Sequence, residues 1–191
     1  IAFLSEYFRY HSQKELSDIN LEKNQQANTD PLTGLANRRY LDSVFLEQVK
    51  QLPQNHFPLT LVMADIDKFK RVNDNYGHDV GDKVICFIAE KLQENIRKSD
   101  VVIRIGGEEF LLIFSKSSLD EGIKVAEKIR LIIAENCFSD SEHNIDITLS
   151  FGVAIAMSIE DIDMASKQAD LMLYQAKSLG RNRVEFKQNQ S

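Results

Sequence analysis

The sequence lacks the features that would place it in a membrane, outside the cell or around a soft metal. It has no run of about 18 apolar residues, the length a spanning helix needs. It shows no signal peptide. Its two cysteines, Cys86 and Cys137, have no CxxC partner, and no His/Cys cluster suggests zinc. Both read as reduced structural thiols of a reducing compartment, so a cytoplasmic location is expected. Internal repeats and low-complexity segments are absent, which excludes solenoids and disordered tracts. Excess basic charge is absent too. A formal net charge of -6 argues against a general nucleic-acid binder, yet leaves room for a local basic pocket that takes a small anion.

What is present suits one domain and an appendage: 191 residues, 43% of them apolar, can bury a sizeable core. The chain opens on Ile1 rather than methionine. A fragment is therefore expected, with an upstream sensor missing and inner-membrane anchoring of a longer protein left open. Residues 1–28 are polar and helix-permissive, with Leu4, Phe8, Leu16 and Ile19 on nearby faces. They read as a helical stalk able to pair with a partner helix, or as a solvated linker. The compact domain, residues 29–191, should start at the Asp30-Pro31 break.

Within it, Asn37 can cap a helix to about Leu52, ended by Pro53. LTLVMAD (59–65) reads as a buried strand, and 67–74 as one or two helical turns. An amphipathic helix should run from about Val80 to Arg97, with Val84, Ile85, Ile88 and Leu92 inward. VVIRI and EFLLIF look like strands joined at Gly106-Gly107 by a primed hairpin turn. A helix over 119–136, a strand over 145–156 with a bend at its glycine, and a helix over 160–179 stopped by Gly180 follow. RVEF is the last of five strands.

Four groups of residues carry chemistry. Asp65 ends a buried strand, where ligand sites of α/β sheets gather, and is a candidate metal ligand; Asp67 is the alternative, or a cap for the next helix. Glu108 and Glu109 flank the glycine pair, and strand alternation lets only one face a given site readily. Asp65 with one glutamate would form the hard, oxygen-rich site that suits Mg²⁺, with Mn²⁺ as an alternative; the bland reading is an acidic, solvated turn. Lys70, the backbone N–H groups around Lys68 and Phe69, and the pair Lys177 and Arg181 could hold phosphate, or could be ordinary surface charge. In NDNYGHDVGD (73–82), Asp82 could accept from guanine and Asn73 could contact the same base. His78 could touch a phosphate or only shape the loop, and the whole stretch could be a polar loop with helix caps.

Together, DPLTGLANRR, ADIDKFKRVND, YGHDVGD, RIGGEEF, SFGVA and YQAKSLGRNR resemble, in order and spacing, the GGDEF domain of diguanylate cyclases. The match runs from Asp30 to about Phe186. The resemblance implies an α/β fold of the α+β kind: a central, mostly antiparallel five-stranded sheet wrapped by helices, like nucleotidyl cyclases and polymerase palms. It implies an enzyme that makes cyclic di-GMP from two GTP as a homodimer. It assigns Asp65, Glu108 and the Ile66 carbonyl to metal, and Asn73 and Asp82 to guanine. Lys70, Lys177, Arg181 and the Phe69 amides go to the triphosphate, and Gly106 and Gly107 let the α-phosphate lie against the turn. Glu109 is implied to assist the metal or the 3′-hydroxyl. Arg97-Lys98-Ser99-Asp100 fits the family's RxxD product site, with Arg97 and Asp100 as its ends. A glutamate at 108 replaces the signature's usual aspartate and keeps the carboxylate. The alternative is a module that binds GTP or cyclic di-GMP, or merely dimerises, without turnover. No nucleic acid and no membrane contact is expected within this chain.

Overall fold

The computed structural model describes residues 27–51 and 56–187. The expected stalk lies outside these residues apart from 27 and 28, which are helical. Among the described residues no helix is long and apolar enough to cross a membrane.

The sheet is built around β2 (Leu59–Ile66), whose eight residues are all buried. That is why the sequence shows a continuous apolar run there rather than an alternation. Its odd and even positions serve two different cores. Val62, Ala64 and Ile66 face one core, and Leu59, Leu61 and Met63 face the other. The first face is covered by α3 (Phe69–Tyr76), α4 (His78–Glu94) and α5 (Leu119–Glu135). The second is covered by α6 (Ile162–Ser178) and by the helical stretch α1 (Arg38–Tyr40), a π-helical Leu41–Phe45, and α2 (Leu46–Gln51). Asp65 holds an odd position, so its side chain belongs to the α6 face.

Six strands form the sheet, one more than expected, in the order β1-β3-β4-β2-β7-β8. The extra strand, β1 (Ala36–Asn37), has two residues and pairs in parallel with β3 (Val101–Arg104). The three central pairings, β3 with β4 (Glu109–Ser115), β4 with β2, and β2 with β7 (Leu149–Ala156), are antiparallel. The last strand, β8 (Val184–Phe186), pairs in parallel with β7.

Several local expectations are corrected. The helix expected from Val80 starts at His78, and it ends at Glu94 rather than Arg97. The region 145–156 is not one bent strand. Its first residue belongs to a separate hairpin, β5 (Phe138–Ser139) with β6 (Asn144–Ile145), and β7 pairs with β2 through Gly152 without interruption. Gly152 is needed for close approach instead. A Cβ there would lie 2.1 Å from the Ala169 carbonyl oxygen and 2.2 Å from the Leu173 nitrogen of α6. The turn at Gly106-Gly107 is not a primed two-residue turn. Four residues separate β3 from β4, and neither glycine has positive φ.

Candidate active site

The carboxylates meet at the end of β2. Asp65 lies directly across from Glu109 on β4, so both side chains stand on the α6 face. Glu108 sits in the loop before β4, outside strand alternation, and its carbonyl accepts the Ile66 N–H at 3.2 Å. The expectation that only one glutamate could face the site fails for this reason. From α6, the Lys177 Nζ reaches Asp65 Oδ2 at 2.6 Å. Asp65 is 4% exposed. Burial pushes its carboxyl up to about 6 against the pull of Lys177, and Glu108 and Glu109 add to the rise. Burial also raises Glu108, with Lys177 opposing and Glu109 adding. Three acids therefore lie close together, with Lys177 paired to Asp65, which marks the place as suited to positive charge.

No group of three His, Cys, Asp or Glu side chains placed to hold a metal occurs among the described residues. The donors that fit a hard cation are the Asp65 and Glu108 carboxylates with the Ile66 carbonyl. That set suits an ion which fills its remaining positions with substrate oxygens and water.

The loop carrying Glu108 is fixed by a residue the sequence reading passed over. Arg104, the last residue of β3, donates to the Gly107 carbonyl at 2.8 Å and the Gly106 carbonyl at 3.2 Å. Its Nη1 binds Asp30 Oδ1 at 2.9 Å. Asp30 also accepts from the Thr33 N–H and hydroxyl, at 2.9 and 2.7 Å. Burial opposes ionisation of Asp30, but Thr33 and Arg104 outweigh it and hold the carboxyl below its ordinary value. The DPLT stretch and the GGEE loop are thus tied into one body. A basic residue two places before the glycines was the available signal. The Glu109 carboxylate folds back over Gly106, where a Cβ would meet its Oε2 at 2.8 Å.

On the other face, Phe69 is buried and anchors the start of α3 behind Lys68, which adopts a left-handed φ of 57°. Asn73 follows one turn later. Its Oδ1 is buried with no hydrogen-bond partner. It occupies the space a Gly81 side chain would take, since a Cβ there would lie 1.9 Å from it. A buried acceptor without a partner is costly, and Asn73 keeps one against Gly81. Asp82, the next residue of α4, is exposed and lines a cleft of about 890 Å³ with Leu32, Cys86 and Phe87. His78 is exposed at the start of α4.

The cations expected to act on phosphate are divided by the structure. Lys177 turns to Asp65, whereas Arg181 lines a cleft of about 430 Å³ with Lys68, Arg71 and Asn182. Lys70 is exposed and is not among the walls of that cleft. Arg71 was not singled out in the sequence, and Lys68 only for its backbone N–H. Arg97 and Asp100 line a separate cleft of about 310 Å³ with Glu121 and Lys128. There Asp100 accepts the Arg97 N–H at 3.1 Å and the Ser115 N–H at 3.3 Å.

The profile of the family described as "Diguanylate cyclase, GGDEF domain" matches residues 27–183. Diguanylate cyclase DgcP of Pseudomonas aeruginosa is 38% identical over 176 residues, which is 92% of this chain and 25% of that protein. This chain therefore spans about a quarter of the length of that relative. The crystal structure of the coiled coil and GGDEF domain of DgcB from Caulobacter crescentus, in complex with c-di-GMP, aligns with TM-score 0.82 and 28% identity. It covers 98% of this chain and 100% of that one. The structure of the active GGEEF domain of a diguanylate cyclase from Vibrio cholerae aligns with TM-score 0.67 and 34% identity, over 82% of this chain and 99% of that one.

Proposed function

Because this chain belongs to the GGDEF family of diguanylate cyclase domains, we propose that it condenses two GTP into cyclic di-GMP and releases two pyrophosphates. The observation that carries this reading is the cluster of Asp65, Glu108 and Glu109 with Lys177 paired to Asp65, and a second cleft lined by Lys68, Arg71 and Arg181. The GGEEF signature itself is compatible with activity, since a relative carrying it is described as active.

In this reading Asn73 and Asp82 hold guanine. Arg181 and the Phe69 amides take the triphosphate, and Lys70 assists at the mouth. Lys177 moves its charge between the carboxylates and the phosphates. Asp65, Glu108 and the Ile66 carbonyl hold Mg²⁺, or Mn²⁺ in its place. A divalent cation bound there supplies charge neutralisation on the triphosphate and a lowered pKa for the attacking 3′-hydroxyl. Gly106 and Gly107 keep the turn low beside the reacting phosphate, and Glu109, lying over Gly106, assists the metal or the 3′-hydroxyl. His78 shapes the rim. Positioning and preorganised charge provide most of the rate in such chemistry.

One chain offers one GTP site, so the reaction needs two copies facing each other across a two-fold axis. Arg97 and Asp100 form a product site that restrains turnover: the Arg97 guanidinium has no hydrogen bond or ion pair among the described residues and is free to grip phosphate or a guanine edge. The test is incubation with GTP and Mg²⁺ followed by chromatographic identification of the product. Cyclic di-GMP supports the proposal; unconsumed GTP at every protein concentration sinks it.

A further inference from the structure

Asp67 is as buried as a metal ligand, at 8% exposed, yet none of the roles above uses it. Its carboxylate joins three segments. Oδ1 accepts the Ser150 hydroxyl at 2.6 Å, and Oδ2 accepts the Thr148 hydroxyl at 2.7 Å. Oδ2 also accepts the Asn182 N–H at 3.0 Å, across 115 positions of sequence. Its own N–H donates to the Thr148 carbonyl at 2.9 Å.

The third contact falls on an unusual piece of backbone. Arg181 and Asn182 are consecutive non-glycine residues with φ of 66° and 47°. L-residues avoid that left-handed region unless neighbours hold them there. The neighbours here are specific. The Arg181 N–H donates to the Ala176 carbonyl at 3.0 Å, and the Phe151 N–H to the Arg183 carbonyl at 2.9 Å. The Asn182 side chain accepts from Arg130 at 2.9 Å. The backbone of this loop is thus pinned on every side, while the Arg181 guanidinium has no hydrogen bond or ion pair among the described residues. A fixed backbone with a free cation at its tip is a preorganised anion holder. Asp67 also adjoins Lys68 and lines the same cleft as Arg181 and Arg71.

We propose that Asp67 is a positioning residue for substrate binding: its carboxylate, anchored by Thr148 and Ser150, holds the left-handed Arg181-Asn182 backbone and so sets where Arg181 meets the triphosphate. The inference rests on the reading of Arg181 as a phosphate ligand. It assigns Asp67 neither to the metal nor merely to a helix cap.

The test is a double-mutant cycle on the 191-residue chain, Asp67→Asn against Arg181→Ala. It reads kcat and KM for GTP, with inhibition by guanosine as a control for the base site. Asp67→Asn alone should raise KM for GTP about tenfold with a smaller change in kcat, and leave guanosine inhibition within about twofold. In the Arg181→Ala background the same change should add less than about twofold, because its route of action is already gone. If Asp67→Asn does not fold, Thr148→Val removes one donor to the same oxygen. It should raise KM about threefold with the same dependence on Arg181. Equal losses in both backgrounds, or guanosine weakened as much as GTP, would overturn the positioning role alone. An unchanged KM in Arg181→Ala would overturn the phosphate role of Arg181, and this inference with it; that single variant reports it without reference to Asp67.

Discussion

Asp65 is a carboxylate at 4% exposure, and a charge so deep is tolerated only with a cation beside it. Lys177 fills that place at 2.6 Å, and Glu108 is close enough to raise the Asp65 carboxyl further. Glu108→Gln keeps the shape and removes the charge. It is expected to lower kcat at least about a hundredfold with little change in melting temperature, read by pyrophosphate release. Activity within a few-fold of the parent would show that Glu108 is no metal ligand. A second prediction concerns Gly81, where an added Cβ lies 1.9 Å from the Asn73 amide oxygen and must push a flexible side chain aside. Gly81→Ala should therefore weaken the preference for GTP over ATP, as Asp82→Ala should. Competition between the two nucleotides measures it, and an unchanged preference would remove Asn73 from the base site.

At the scale of elements, Gly152 shows the opposite case, since the atoms around its missing Cβ are the backbone of α6. Gly152→Ala has no flexible neighbour to displace, and should destabilise the fold by about 2–3 kcal/mol in urea unfolding. Because α6 carries Lys177, turnover should fall with stability. The long elements were legible in the sequence because their periodicity is strong. The residues Val84, Ile85, Ile88 and Leu92 are all buried as the helical spacing requires. The two-residue strands β1, β5 and β6 were not, since no period can show in two residues. The glycine pair was misread as a primed turn because the guanidinium that holds the loop, from Arg104, makes its contacts only after folding. For the same reason Asp67 looked like a cap: its partners Ser150 and Asn182 lie 83 and 115 positions away. The motifs were legible, but the placing of Asp82, Arg181 and Arg97 in three separate clefts was not.

For the whole molecule, the sheet order puts the GGEE loop, the start of α3 and the end of α6 at one end of the central strands. The Arg97 cleft lies apart from that end, past the C-terminus of α4. Arg97→Ala should accordingly leave initial rates unchanged and abolish the slowing of progress curves as product accumulates. Persistent slowing would place product inhibition elsewhere. The most direct measurement is specific activity against protein concentration, with GTP and Mg²⁺ supplied and the product identified by chromatography. Cyclic di-GMP should form, with specific activity rising with concentration as two copies meet, and Glu108→Gln should form none. No cyclic di-GMP at any concentration, or the same yield from Glu108→Gln, would contradict the assignment of this site.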